Sequence, residues 1–211
     1  MSSLSANQEA FLKATCAVGA AMPYWKTPSF QLSGCGTFIS ENELVTCAHV
    51  LVTKDGKRLP KPLILIKNQD GQFSRVKAMH VDEGKDLAYL QLKQPLGHSH
   101  VPYMHETRNV DLKDKFRLLS HYRENPKIET VSKINSSVRA KLKWADKGAR
   151  YDVYLTDEEL RKGYSGSAIL MNGEICSILS AKKQDYPKEV WAASQRGFVS
   201  FMNKARAELK R

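Results

Sequence analysis

Residues Arg161–Leu170 read Arg-Lys-Gly-Tyr-Ser-Gly-Ser-Ala-Ile-Leu, a serine, Ser165, held between Gly163-Tyr164 and Gly166 and followed by an apolar run. Glycine admits backbone dihedrals that a Cβ blocks, so the stretch predicts a tight turn feeding a strand. The chain has only 12 glycines, and two of them flank this one hydroxyl. By itself such a serine is an ordinary turn residue; its meaning depends on what the rest of the chain brings to it.

Just downstream, Asn172-Gly173 parts two apolar runs, a strong two-residue hairpin signal. Further out the segments stay short, rich in β-branched and aromatic residues, and punctuated by Gly, Asn, Asp or Pro. That rhythm predicts an all-β barrel or sandwich. Strands are expected at 14–21, 36–40, 43–46, 63–67, 72–80, 87–92, 115–120, 127–134, 151–155, 168–171, 175–181 and 198–201. Helical spacing is expected at 5–12 and again at 201–209. Residues 93–109 thin into Gln-Pro-Leu-Gly, three histidines and a second Pro, which reads as a linker between an N-terminal half, 1–108, and a C-terminal half, 109–211.

Bulk properties set the frame. The 211 residues are 42% apolar, enough for a packed core and against disorder. Lys and Arg number 33 against 22 Asp and Glu, a net charge of +11. This favours acidic partners, although a merely soluble basic surface is the plainer reading. The denser basic patches are 54–61, 139–147, 182–188 and 204–211. No zinc-finger spacing or aromatic single-strand motif supports nucleic acid. The four cysteines, Cys16, Cys35, Cys47 and Cys176, include no C-x-x-C pair, so a disulfide framework and a zinc cage are not expected. A reducing, cytoplasmic location is the simpler expectation. The N-terminus lacks a signal-peptide pattern and no apolar run approaches the ~20 residues that span a bilayer.

Two upstream segments give Ser165 company. The first is Gly34-Cys35-Gly36-Thr37-Phe38-Ile39-Ser40, followed by Leu44-Val45-Thr46-Cys47-Ala48-His49-Val50; the second is Asp86-Leu87-Ala88-Tyr89-Leu90-Gln91-Leu92. A hydroxyl needs a base to become a nucleophile, and histidine can take the proton and return it to a leaving group. A carboxylate can orient that imidazole. Asp82 and Glu83 are local rivals of Asp86, but Asp86 immediately precedes the alternating run.

In this order the segments resemble the trypsin-like (chymotrypsin-fold) serine peptidases. "VTCAHV" is similar to the family's Thr-Ala-Ala-His segment, "DLAYLQL" to its Asp-Ile-Ala-Leu-Leu strand, and "GYSGSAIL" to its Gly-Asp-Ser-Gly-Gly-Pro turn. "NGEICSILSA" and "GFVSF" resemble the later strand pair and the last strand with its C-terminal helix. The resemblance implies two six-stranded Greek-key β-barrels with a C-terminal α-helix. It implies catalytic roles for His49, Asp86 and Ser165, with Gly163 and Ser165 as backbone oxyanion donors. It also implies substrate binding by Glu159, Ser180 and Lys182: Glu159 on the floor of a pocket for a basic side chain, and the strand from Ser180 through Lys182 pairing with the substrate backbone. Asp157 and Glu158 compete with Glu159 for that place. No metal or cofactor is expected; His98, His100 and His105 read as linker histidines, and His80 and His121 carry no pattern.

The departures are as informative. Val50 and Gly34 stand where secreted relatives place a disulfide, leaving Cys35 and Cys47 on neighbouring strands as a candidate redox pair. Tyr164 replaces the Asp that pairs with a cleaved N-terminus in zymogens, and no Ile-Val-Gly-Gly segment is present. Activation by trypsin-type N-terminal processing is therefore not expected, and Tyr164 packing into the second barrel could order the turn instead. The features suggest an intracellular or bacterial-type peptidase acting on a protein substrate, acidic overall, in the manner of relatives that serve as regulated components, with a protein partner, of defence or effector systems. The alternatives are a catalytically silent binding module of the same fold and a basic nucleic-acid-binding barrel.

Overall fold

Alternating apolar and polar residues, and turns set by glycine and asparagine, fold the chain into two runs of six antiparallel strands. The computed structural model describes residues 6–22, 29–53, 55–97, 99–109, 114–122, 125–139, 149–160, 162–182, 186 and 188–209. A short helix, α1 (Ala6–Lys13), leads into β1 (Thr15–Met22), β2 (Ser29–Phe38), β3 (Glu43–Thr46), β4 (Ile64–Lys67), β5 (Phe73–Asp82) and β6 (Leu87–Leu92). The second run is β7 (Phe116–Tyr122), β8 (Asn125–Arg139), β9 (Arg150–Thr156), β10 (Ala168–Met171), β11 (Glu174–Lys182) and β12 (Glu189–Ala193), and α2 (Gln195–Leu209) follows it.

Each run closes into a barrel. The first has the order β1-β2-β3-β6-β5-β4 and returns from β4 to β1; the second has β7-β8-β9-β12-β11-β10 and returns from β10 to β7. Adding six to every number of the first order gives the second, so one Greek-key arrangement is used twice. Closure gives every one of these strands a hydrogen-bonded neighbour on each side. Phe38, Leu44, Ile64, Ile66 and Leu87 fill the first barrel, and Phe116, Leu118, Tyr154, Ile169 and Leu179 the second; all ten are buried. The Asn172-Gly173 hairpin is present as read: both residues have positive φ, 52° and 84°, as a two-residue turn between twisted strands requires.

The stretch 198–201 is a correction. It lies inside α2, and the twelfth strand is β12. Ser194 caps the helix, its Oγ accepting the Gly197 N–H at 3.2 Å and its carbonyl the Phe198 N–H at 2.9 Å. Phe198, Val199, Phe201, Met202 and Ala205 are buried at helical spacing, which outweighs the β propensity of the aromatics.

The two barrels meet along β1, β2 and β7, while α2 packs against β5, β6 and β11. Residues 93–109 are a linker that is itself pinned: Val101 N–H donates to Phe38 O at 2.9 Å, and Ile175 N–H to Pro102 O at 2.8 Å. Further backbone bonds run from Leu96 and Gly97 to Glu41 O and from Met104 to Ile175 O, so the connection is tied to both halves. Of the basic patches named above, 140–147, Lys54, 183–185, 187 and 210–211 lie outside the described residues, as does His98.

Candidate active site

The site is assembled at the junction of the barrels. His49 sits on a single 3-10 turn, Ala48–Leu51, directly after β3, with Ala48, Val50 and Leu51 buried beneath it. Asp86 enters β6 in the left-handed region, φ 55°, a conformation that aspartate tolerates better than most residues. That twist points its carboxylate back at the imidazole. Oδ1 accepts the His49 backbone N–H at 2.9 Å and Oδ2 meets His49 Nδ1 at 2.8 Å. A carboxylate oxygen accepts, so Nδ1 is the donor in that bond, and the other ring nitrogen, Nε2, lies 3.8 Å from Cys47 Sγ. Asp86 is 1% exposed and the His49 side chain 17%, an enclosed acid behind a base that reaches solvent. The rival carboxylates are engaged elsewhere, Asp82 with Lys85 Nζ at 2.6 Å and Glu83 with Arg58.

A third donor to Asp86 comes from the other barrel. The Ser180 hydroxyl bonds Oδ2. Ser180 lies where the β11–β12 register slips between Leu179 and Ala181, and the extra residue of such a bulge re-aims a side chain. The slip turns a buried serine toward the acid. Lys182 ends the same strand opposite Val190. Glu159 is exposed on the segment after β9, while its neighbour Leu160 is buried in the second core.

Ser165 is half-buried, on a turn with Gly163 at φ 109° and Gly166 at φ 89°. From the first barrel, Cys35 holds this turn at two points. Its backbone N–H donates to Ser165 O at 2.7 Å, and its thiol lies 3.1 Å from Gly163 O. The Cys35 thiol also accepts the His121 N–H at 3.3 Å, and its carbonyl accepts the Thr46 hydroxyl at 2.6 Å. The fit is tight: a Cβ on Gly34 would lie 2.5 Å from Ser165 O, and one on Gly166 would lie 2.1 Å from Cys35 O. Within the turn, Tyr164 is 8% exposed and packs with Met104, Phe116, Leu118 and Leu160 in the second-barrel core. The N–H groups of Gly163 and Ser165 have no acceptor among the described residues.

The thiols near the site are poor nucleophiles. All four cysteines are free and buried. Burial pushes the Cys35 thiol up to about 11, with the His121 N–H partly offsetting it. Burial, and then the nearby Asp86 charge, hold Cys47 well above the ordinary thiol range. Of the residues singled out in sequence, the structure brings His49 and Asp86 into contact and sets Ser165 on the adjoining turn. Ser180 is buried against Asp86 through its side chain, a contact with no sequence signal. The Cys35 strut and its support from Thr46 are equally silent in the sequence.

A profile of the trypsin-like peptidase domain matches residues 34–175, a span that includes Cys35, His49, Asp86 and the Ser165 turn but not Ser180 or Lys182. The chain belongs to the trypsin-like peptidase domain family. It is therefore assigned to a family of protein-cleaving hydrolases. No curated protein matches the chain. Among solved structures, the Rv3671c protease from M. tuberculosis in its active form is similar with a TM-score of 0.68 at 14% identity, covering 95% of this chain and 84% of that one. The serine endoprotease from Yersinia pestis has a TM-score of 0.64 at 17% identity, covering 96% and 67%. An inactive serine-to-alanine form of Rv3671c from M. tuberculosis H37Rv gives 0.67 at 14% identity, covering 96% and 91%. At these identities the likeness to the solved structures is one of fold. Among the described residues no helix is long and apolar enough to cross a membrane.

Proposed function

We propose that this trypsin-like peptidase domain is a serine endopeptidase working through an acyl-enzyme. The observation that carries the reading is the pair of bonds by which Asp86 fixes both the backbone and Nδ1 of His49, which makes Nε2 the nitrogen able to take a proton. Ser165 Oγ attacks the scissile carbonyl as its proton passes to His49 Nε2. The imidazolium, steadied by Asp86, gives that proton to the departing amine. Water, deprotonated by the same nitrogen, then releases the acyl group. The two unengaged N–H groups, of Gly163 and Ser165, are the donors for the tetrahedral oxyanion. Tyr164 buried in the second core supports a turn ordered without a cleaved N-terminus. Cleavage after a basic residue is proposed through Glu159, the substrate strand running along Ser180–Lys182, and the free buried thiols support a reducing compartment.

The test is fluorophosphonate labelling read by intact mass. One adduct on wild type, none on Ser165→Ala and strongly slowed labelling of His49→Ala is the expected pattern. Labelling that persists in Ser165→Ala removes the assignment, and folded wild type that never labels supports a silent module instead. A peptide-library digest decides the Glu159 pocket: cleavage indifferent to Lys and Arg discards it.

A further inference from the structure

The outer face of the first barrel carries aromatic rings that its core does not use. Burial alternates along β4 and β5: Ile64, Ile66, Ser74 and Val76 turn inward, while Leu65, Lys67, Phe73 and Arg75 turn outward. The register sets Leu65 opposite Arg75 and Lys67 opposite Phe73. Phe73 is 45% exposed, on a side of the sheet where a polar residue would serve. Phe30 joins it from β2, the two rings edge-to-face with centroids 5.5 Å apart. The β1–β2 register slips between Val18 and Gly19, and the Phe30 ring lies directly on that glycine: a Cβ on Gly19 would sit 2.7 Å from the ring and 2.2 Å from Gln31 O. The ring lies down where the neighbouring strand has no side chain.

The result is a cleft of about 530 Å³, floored by Ala21, Phe30, Leu65 and Phe73 and rimmed by Arg75 and Lys93. Ligand clefts run from roughly 300 to 1,000 Å³, with mostly apolar linings and a few polar groups that fix orientation. Here the polar groups are cationic, and no acidic side chain lines the cleft. The Lys93 ammonium is exposed and has no partner among the described residues. Arg75 gives one N–H to Pro62 O and keeps the rest of its fork, and Lys67 Nζ lies 5.8 Å from the Phe73 ring centroid. The cations continue past the cleft: Lys77 is the next exposed residue of β5, and Lys61 adjoins the Pro62 that Arg75 bonds. An apolar occupant would fill the floor and leave the rim unpaired, whereas carboxylates flanking an aromatic side chain satisfy both. A row of charge longer than the cleft suits a chain rather than a small anion. Aromatic residues and arginine are also what protein interfaces concentrate at their strongest contacts.

We propose that this cleft docks an acidic protein segment, with an aromatic side chain entering between Phe30 and Phe73 and flanking carboxylates pairing with Lys93 and Arg75. Phe30 lies five residues along β2 from Cys35, roughly 17 Å at about 3.4 Å per residue, so an occupant leaves the Ser165 turn open. The docking does not rest on the catalytic reading.

The experiment uses the full chain carrying Ser165→Ala, so that the probe stays intact, labelled with nitrogen-15. It is titrated at about 0.15 M salt, where long-range surface attraction is largely screened, with the end-blocked peptide Asp-Glu-Phe-Glu-Asp. The amide resonances of Phe73, Arg75, Lys93 and Gln94 are expected to shift saturably. Phe73→Ser and Lys93→Glu, both at exposed positions, are each expected to weaken binding at least tenfold with the melting temperature kept. Serine in place of the peptide's phenylalanine should do the same. No shift at these amides overturns the proposal. Equal affinity for the serine peptide, or shifts scattered over the basic surface, reduces the effect to bulk charge and overturns it too. Decanoate moving the same amides where the peptide does not makes the occupant a small amphipathic anion, against the proposal. Self-association of the free chain that Phe73→Ser abolishes also counts against it, since the cleft then belongs to a second copy.

Discussion

Replacing Gly166 by alanine tests whether the Ser165 turn is held from the first barrel. The added Cβ would lie 2.1 Å from the Cys35 carbonyl oxygen and 2.3 Å from the Thr46 hydroxyl. Ordinary contact begins near 3.4 Å, so the turn has to retreat by 3.4 − 2.1, or 1.3 Å. The Cys35 N–H to Ser165 O bond, at 2.7 Å, breaks with that movement. Misplacing a reacting group by ~1 Å costs about 10²-fold in rate. The φ of 89° adds a backbone penalty of about 1–2 kcal/mol that falls on stability. Gly71→Ala separates the two effects. It has φ 79° but nothing within 4 Å, so it should carry the backbone penalty and spare the site. The assay is the second-order rate of fluorophosphonate labelling beside a thermal melt of each variant. Gly166→Ala is expected to label at least a hundredfold more slowly than Gly71→Ala at comparable stability. Rates for the two variants within about threefold of each other would refute the reasoning.

Two further predictions follow from groups placed above. Ser180→Ala removes one of three donors to a carboxylate that is 1% exposed, a loss of about 1.5–3 kcal/mol, or roughly ten- to a hundredfold if it falls on the reaction. Peptide kcat/KM and the melting temperature together should register it, and a variant unchanged in both would show that the bond contributes nothing. The buried thiols make the fold sensitive to alkali. Cys35 is raised to about 11 and Cys176 to about 12, from an ordinary 9.0. Their stabilising contribution is complete below the unfolded-state value and is lost as pH rises toward the folded ones, at about 1.4 kcal/mol per pH unit per thiol. The melting temperature should therefore fall between about pH 9 and 11, less steeply in Cys176→Ala; equal slopes would reject the linkage.

Much of this was legible in the sequence because it depends on local residue chemistry. Alternation and turn residues located eleven of the strands, with β3, β6 and β10 at their observed bounds. The order of His49, Asp86 and Ser165 is a property of the chain. What was hidden depends on register and on contacts between distant residues. A strand that slips by one residue at Ser180, or a cysteine on β2 that bonds a turn 128 positions later, leaves no periodic trace. Residues 198–201 misled for the opposite reason: Phe-Val-Ser-Phe is apolar and aromatic like a strand, and only the cap at Ser194 with the spacing on to Ala205 settles it as helix.

The Cys35 strut has a consequence for how the protein fails. The hydroxyl-bearing turn belongs to the second barrel, yet its two carbonyl anchors are held by the first. Each barrel closes its own sheet and can keep its strands while the seam between them loosens. Under heat or denaturant the chemistry is then lost at the seam, ahead of the secondary structure. Working capacity and circular dichroism part company, and the more fragile of the two reports how well the halves are seated on one another.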